Sequence, residues 1–69
     1  MIEVFKTNVK SSAHSTTLVK ALKRLDARLD VHFDLSDCDN ILRVEGDKFD
    51  PSKIIEALQQ QGFWSEVLP

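Results

Sequence analysis

The chain has little of several residue types that define many small proteins. It contains one cysteine, Cys38, so no disulfide can form within the chain. A single cysteine fits a reducing compartment, and we expect a cytoplasmic location. Two glycines and two prolines among 69 residues argue against a disordered or low-complexity chain.

Long apolar runs and a strong net charge are also missing. Without a long apolar run, neither a signal peptide nor a membrane span is expected. A formal charge of −2 and a pI of about 5.5 provide no strong positive field to attract nucleic acid. The length allows one domain, residues 1–69, with a thin core. The 42% of hydrophobic residues is enough for a two-layer structure.

The apolar pattern predicts four strands and two helices. The predicted strands span residues 2–9, 29–35, 41–46 and 63–68. A small polar loop at 10–14 precedes the first helix. Ser11, Ser12 or Ser15 is a candidate N-cap of this helix. The second helix follows an N-cap candidate at Asp50 and ends at Gly62.

This order of elements predicts the fold class. Each later strand has one apolar face and each helix has one apolar stripe. The economical packing is an α+β, ferredoxin-like βαββαβ split sandwich, with two helices on one face of a four-stranded antiparallel sheet. The first strand is ambiguous, because Ile2 and Val4 share one face while Phe5, Thr7 and Val9 share the other.

Two stretches resemble a known family. "LVKALKRLDARLDVHFDL" is similar to the first helix and second strand of the heavy-metal-associated domain, the family of copper chaperones. "LRVEGDKFDPSKIIEALQQQGF" is similar to its third strand, its second helix and the Gly-aromatic step into its last strand. The resemblance covers nearly the whole chain and implies the same split sandwich.

The family's ligand motif, Met-x-Cys-x-x-Cys, falls on Val9, Ser11 and His14. Cu(I) prefers a pair of soft thiolates, and both are missing at these positions. We expect Cys38 not to replace them, since the hairpin turn that carries it is predicted to lie away from the first loop. The resemblance therefore implies a metallochaperone-like domain with a degenerate motif.

Two functions follow from this reading. The first is a binding module that contacts a protein partner, binds no Cu(I), carries no cofactor and is not an enzyme. The alternative is a weak or shared site for Cu(II), Zn(II) or Ni(II), with His14 as ligand and Ser11 beside it. An acylphosphatase-like activity is not expected, because no arginine precedes Arg24.

Three aromatic residues are candidate partner contacts. Phe63 matches the family's aromatic position near the metal loop, and Trp64 follows it. Phe5 is expected to join Trp64 on the outer sheet face if the last strand pairs with the first. Such a surface suits a protein partner or a second copy of the chain. It does not suit RNA, since the predicted central strands offer only Phe5 for base stacking.

Overall fold

A computed structural model describes residues 1–36 and 38–69. The elements are β1 (Ile2–Thr7), α1 (Ser12–Leu25), β2 (Asp30–Asp34), β3 (Ile41–Glu45), α2 (Pro51–Gln60) and β4 (Ser65–Val67). The strands form one antiparallel sheet in the order β2-β3-β1-β4. The predicted split sandwich is therefore confirmed. Within the described residues, neither helix has the length and apolar character needed to cross a membrane.

The core lies between the sheet and the two helices. Each helix contributes two fully buried side chains, Leu18 and Leu22 from α1, and Ile54 and Leu58 from α2. The other buried apolar residues are Phe5, Val9, Leu29, Val31, Leu42 and Val44. The alternation predicted for β2 and β3 is thus observed, with Val31, Leu42 and Val44 turned inward.

The prediction that Phe5 lies on the outer sheet face is wrong. Its side chain is 0% exposed, whereas Ile2 is 50% exposed. Phe5 lies opposite Leu42 in the β1–β3 register, and both side chains are in the core. The face with Phe5 and Thr7 is therefore the buried one, because it places a large ring in the core and leaves the smaller Ile2 and Val4 outside.

Helix α1 begins earlier than the predicted loop at 10–14 allows. Ser11 is the N-cap, and its hydroxyl accepts hydrogen bonds from backbone N–H groups of the first turn. The hydroxyls of Ser15 and Thr16 donate to the carbonyl of Ser12 at 2.8 and 2.9 Å. These small polar residues satisfy helix groups, so the helix extends through residues that favour loops in isolation.

The β2–β3 turn lies beside the end of β1, where the first loop begins, which corrects the expectation that the turn and the loop are apart. The backbone N–H of Thr7 donates to the carbonyl of Asp39 at 3.2 Å, and the Thr7 hydroxyl donates to the carbonyl of Asn40 at 2.6 Å. Asn40 has a φ of 50°, a left-handed conformation that asparagine tolerates well. Asp37, part of the predicted turn, lies outside the described residues.

Candidate functional site

The antiparallel topology brings the loop after β1 and the connection after α2 to one end of the sheet. We call the surface formed by residues 8–11, His14 and 61–64 the loop end. Asn8 joins its two segments. The Asn8 side-chain oxygen accepts from the Trp64 N–H at 2.8 Å, and the Asn8 N–H donates to the Trp64 carbonyl at 3.3 Å.

Val9, which the sequence resemblance places at the methionine position of the motif, anchors the first loop. Its side chain is fully buried in the core. Its backbone N–H donates to the hydroxyl of Thr7 at 3.2 Å. An aliphatic residue thus holds the loop from inside and leaves Lys10 and Ser11 nearer the surface.

Ser11 serves the helix. Its hydroxyl oxygen accepts from the N–H of Ala13 at 3.2 Å and from the N–H of His14 at 3.5 Å. Its backbone is extended, with φ −105° and ψ 136°, as is usual at an N-cap. One lone pair of this oxygen is therefore directed at backbone donors.

His14 lies in the first turn of α1 and is exposed. Its ring centroid is 5.1 Å from that of Phe63, and the two ring planes are tilted by 57°. This distance is typical of a favourable contact between aromatic rings. The first turn of α1, which carries His14, is therefore in direct contact with Phe63, the aromatic residue that follows α2.

Phe63 is positioned by the end of α2. Gly62, with a φ of 87°, follows the helix in the left-handed conformation that glycine adopts at low cost. The N–H of Gly62 donates to the carbonyl of Gln59, and the N–H of Phe63 to that of Leu58, both at 2.9 Å. This Schellman-type ending turns the chain back, and Phe63 packs half-buried against the core.

Trp64 lies next to this contact and is 45% exposed. Both aromatic residues precede β4, which begins only at Ser65, so the predicted last strand is shorter than expected. Phe5, the third proposed contact residue, lies in the core. The loop end therefore combines an exposed indole ring with the tilted, contacting rings of His14 and Phe63.

The potential metal donors near this end are few. Ser11 and His14 contribute one hydroxyl and one imidazole, and Cys38 lies exposed in the β2–β3 turn. Among residues 1–36 and 38–69, no three His, Cys, Asp or Glu side chains form a group suited to hold a metal ion.

Sequence reasoning missed Asn8 and Thr7. Both act through partners far away in the chain, Trp64 for Asn8 and Asn40 for Thr7. The available signal was the pair of short polar residues at the end of a strand, where backbone groups need partners. That signal does not identify the partner.

Comparison with known proteins finds solved structures with a similar fold. Neither a protein-family model nor a curated protein sequence matches the chain. Among solved structures, the chain is similar to a gold binding protein, with a TM-score of 0.83, 24% identity, and 96% of this chain and 98% of that chain covered. It is also similar to the yeast copper transporter domain Ccc2A, solved in apo and Cu(I) loaded states, with a TM-score of 0.83, 21% identity, and 99% and 94% covered. These likenesses confirm the split-sandwich fold that the sequence resemblance implies.

Proposed function

We propose that residues 1–69 form a single heavy-metal-associated-like domain that binds a protein partner through the loop end and does not bind Cu(I). The proposal includes a cytoplasmic location and a role without catalysis. A role without catalysis is supported by the fold neighbours, whose names describe metal binding and transport.

The observation that carries the proposal is the donor set at the two motif positions. A monovalent copper ion is held by soft, charged sulfur ligands. The Ser11 hydroxyl is hard and neutral, and it already accepts two backbone hydrogen bonds. One imidazole from His14 does not replace a thiolate pair, and the chain has only one cysteine in total. These residues do not fit Cu(I).

The contact role is supported by the aromatic surface. Trp64 is exposed beside the contacting rings of Phe63 and His14, and the hydrogen bonds of Asn8 fix its backbone. Rigid aromatic side chains contribute a large share of binding energy at protein interfaces. A preordered aromatic surface loses little conformational entropy when a partner binds.

The second candidate function is a weak site for a divalent metal at His14. Its support is the exposure of His14 on the same surface, where the contact with Phe63 restricts the ring. Neutral imidazole is a good ligand for Cu(II), Zn(II) and Ni(II). The remaining ligands would come from solvent or from a second molecule.

A metal titration separates the two functions. We would use the Cys38→Ser variant, so that the thiol does not contribute, and compete it against a coloured Cu(I) chelator. We expect the chelator to retain the copper. In parallel, Cu(II), Zn(II) and Ni(II) would be titrated while the fluorescence of Trp64, the only tryptophan, is recorded.

The matched control is His14→Ala in the same background. The proposal expects no saturable response at micromolar metal in either protein. A micromolar response that His14→Ala abolishes would favour the divalent-metal function. Transfer of Cu(I) from the chelator to the Cys38→Ser protein would contradict the proposal.

A further inference from the structure

Strand β2 forms one edge of the sheet. The order β2-β3-β1-β4 gives it a partner on one side only, within the described residues. An edge strand presents backbone N–H and C=O groups that another extended chain can pair with. At the opposite edge, β4 has only three residues, Ser65–Val67, and offers a shorter ladder.

A groove runs along this edge between β2 and helix α1. Its volume is about 340 Å³. Val19 of α1 and Val31 and Phe33 of β2 provide its apolar lining, and Thr16 and Lys20 lie on its helix side. Alternate side chains of a strand added to β2 would enter this groove, because successive residues of a strand point to opposite faces.

The other face of β2 is acidic. Asp30 and Asp34 are exposed on it, two residues either side of His32. Asp30 lies 2.8 Å from the His32 ring nitrogen Nε2, and Asp34 accepts a hydrogen bond from the Ser36 hydroxyl at 2.6 Å. On the neighbouring strand, Arg43 lies opposite His32 and Glu45 lies opposite Asp30.

This charge pattern discriminates between possible occupants of the edge. If a second copy paired antiparallel about His32, Asp30 of each chain would face Asp34 of the other. Like charges directly opposite each other destabilise a strand pair. A strand with basic residues at alternate positions would instead place opposite charges against both carboxylates.

We propose that the β2 edge binds an extended peptide segment in which Lys or Arg alternates with apolar residues. Backbone pairing with β2 supplies the ladder, the apolar side chains enter the groove, and the basic side chains face Asp30 and Asp34. This site lies at a sheet edge and not at the loop end. The proposal is therefore independent of the proposed function.

The test uses two short labelled peptides, one alternating lysine with valine and the other alternating glutamate with valine. Fluorescence anisotropy at low salt measures binding to the whole chain. We expect the lysine peptide to bind at least about tenfold more tightly than the glutamate peptide. In the Asp30→Lys/Asp34→Lys variant this preference should reverse.

The control variant Asp47→Lys/Glu56→Lys makes the same change in net charge away from the edge, at two exposed positions. It should retain the preference for the lysine peptide. Amide hydrogen exchange is the second measurement. Adding the lysine peptide to the natural chain should slow exchange in residues 30–34, because strand addition protects edge amides.

Four results would overturn the proposal. The first is a preference for the lysine peptide that both double variants alter equally, which would indicate net charge alone. The second is binding without protection of the β2 amides. The third is a concentration-dependent dimer that protects these amides without peptide, which would make a second copy the occupant. Failure of both peptides to bind would also overturn it, leaving the carboxylates only a role in preventing edge-to-edge association.

Discussion

Two buried hydroxyls on the neighbouring strands β1 and β4 differ in their hydrogen bonding. Thr7 and Ser65 are opposite in the strand register, and both are at least 95% buried. The Thr7 hydroxyl donates to the Asn40 carbonyl and accepts from the Val9 N–H. The Ser65 hydroxyl has no hydrogen-bond partner among the described residues.

This contrast predicts opposite effects of removing each hydroxyl. Ser65→Ala should leave the free energy of unfolding unchanged or raise it by up to about 1 kcal/mol, since an unpaired buried polar group is removed. Thr7→Val should lower it by about 1–3 kcal/mol, because two backbone partners lose their hydrogen bonds. Urea unfolding followed by Trp64 fluorescence would measure both. A larger loss of unfolding free energy in Ser65→Ala than in Thr7→Val would refute this interpretation.

Predictions for single residues succeeded where a local rule applies. Ser11 and Asp50 cap their helices, and Gly62 adopts the left-handed conformation. They failed where long-range packing decides. Phe5 was assigned to the wrong face, because β1 is apolar on both sides and only the assembled core selects one of them. Asn8 was missed because its partner is 56 residues away.

At the level of elements, the end of α2 determines the position of the aromatic surface. Gly62→Ala should lower the free energy of unfolding by about 1–2 kcal/mol, the cost of a left-handed residue with a Cβ atom. A Cβ at this position meets no other atom within 4 Å, so the loss would come from the backbone alone.

The matched control is Gln61→Ala, at a residue with φ −93°. It should change stability little, and thermal unfolding of the two variants would compare them. Equal stability of Gly62→Ala and Gln61→Ala would show that the left-handed turn does not constrain the chain.

The start of α2 makes stability depend on pH. The side-chain hydrogen bond from Ser52, followed by its backbone N–H bond, lowers the pKa of Asp50 below 3.8. A lowered folded-state pKa adds stability above the pKa of the unfolded chain, and this is lost as the pH falls through the folded-state value. Asp50→Asn retains a capping side chain but removes the charge.

We therefore expect the wild type to be more stable than Asp50→Asn at neutral pH. The difference should shrink as the pH falls below 3.8. Ser52→Ala, which removes the leading cause of the pKa shift, should move this loss to higher pH. Urea midpoints measured across the acid range test both expectations. A difference that grows on acidification would contradict the capping argument.

Element boundaries were harder to predict than element order. Helix α1 absorbs three of the five residues predicted as loop, 12–14, because their polar groups find partners inside the helix. The β2–β3 turn contacts the end of β1 through Thr7, a contact between elements that alternation along one strand does not reveal. In contrast, the inward faces of β2 and β3 follow the predicted alternation.

At the scale of the whole molecule, the fold does not depend on which side chains occupy the ligand-motif positions. The core is built from residues of the strands and helices together with Val9 and Leu29, and none of these is a soft-metal donor. Serine and histidine can therefore occupy the two motif positions while the fold remains similar to those of its structural neighbours, with a TM-score of 0.83 to each. For this reason the sequence predicted the fold well, whereas the partner depends on surface residues that follow no general pattern.

We propose that the chain has a fold similar to that of a copper transporter domain but does not bind Cu(I). The most direct measurement compares Cu(I) affinity in two proteins that lack Cys38, the Cys38→Ser variant and the same variant carrying Ser11→Cys and His14→Cys. We predict that the restored cysteine pair takes Cu(I) from the chelator, while Ser11 and His14 do not. Equal Cu(I) capture by the two proteins would contradict the account.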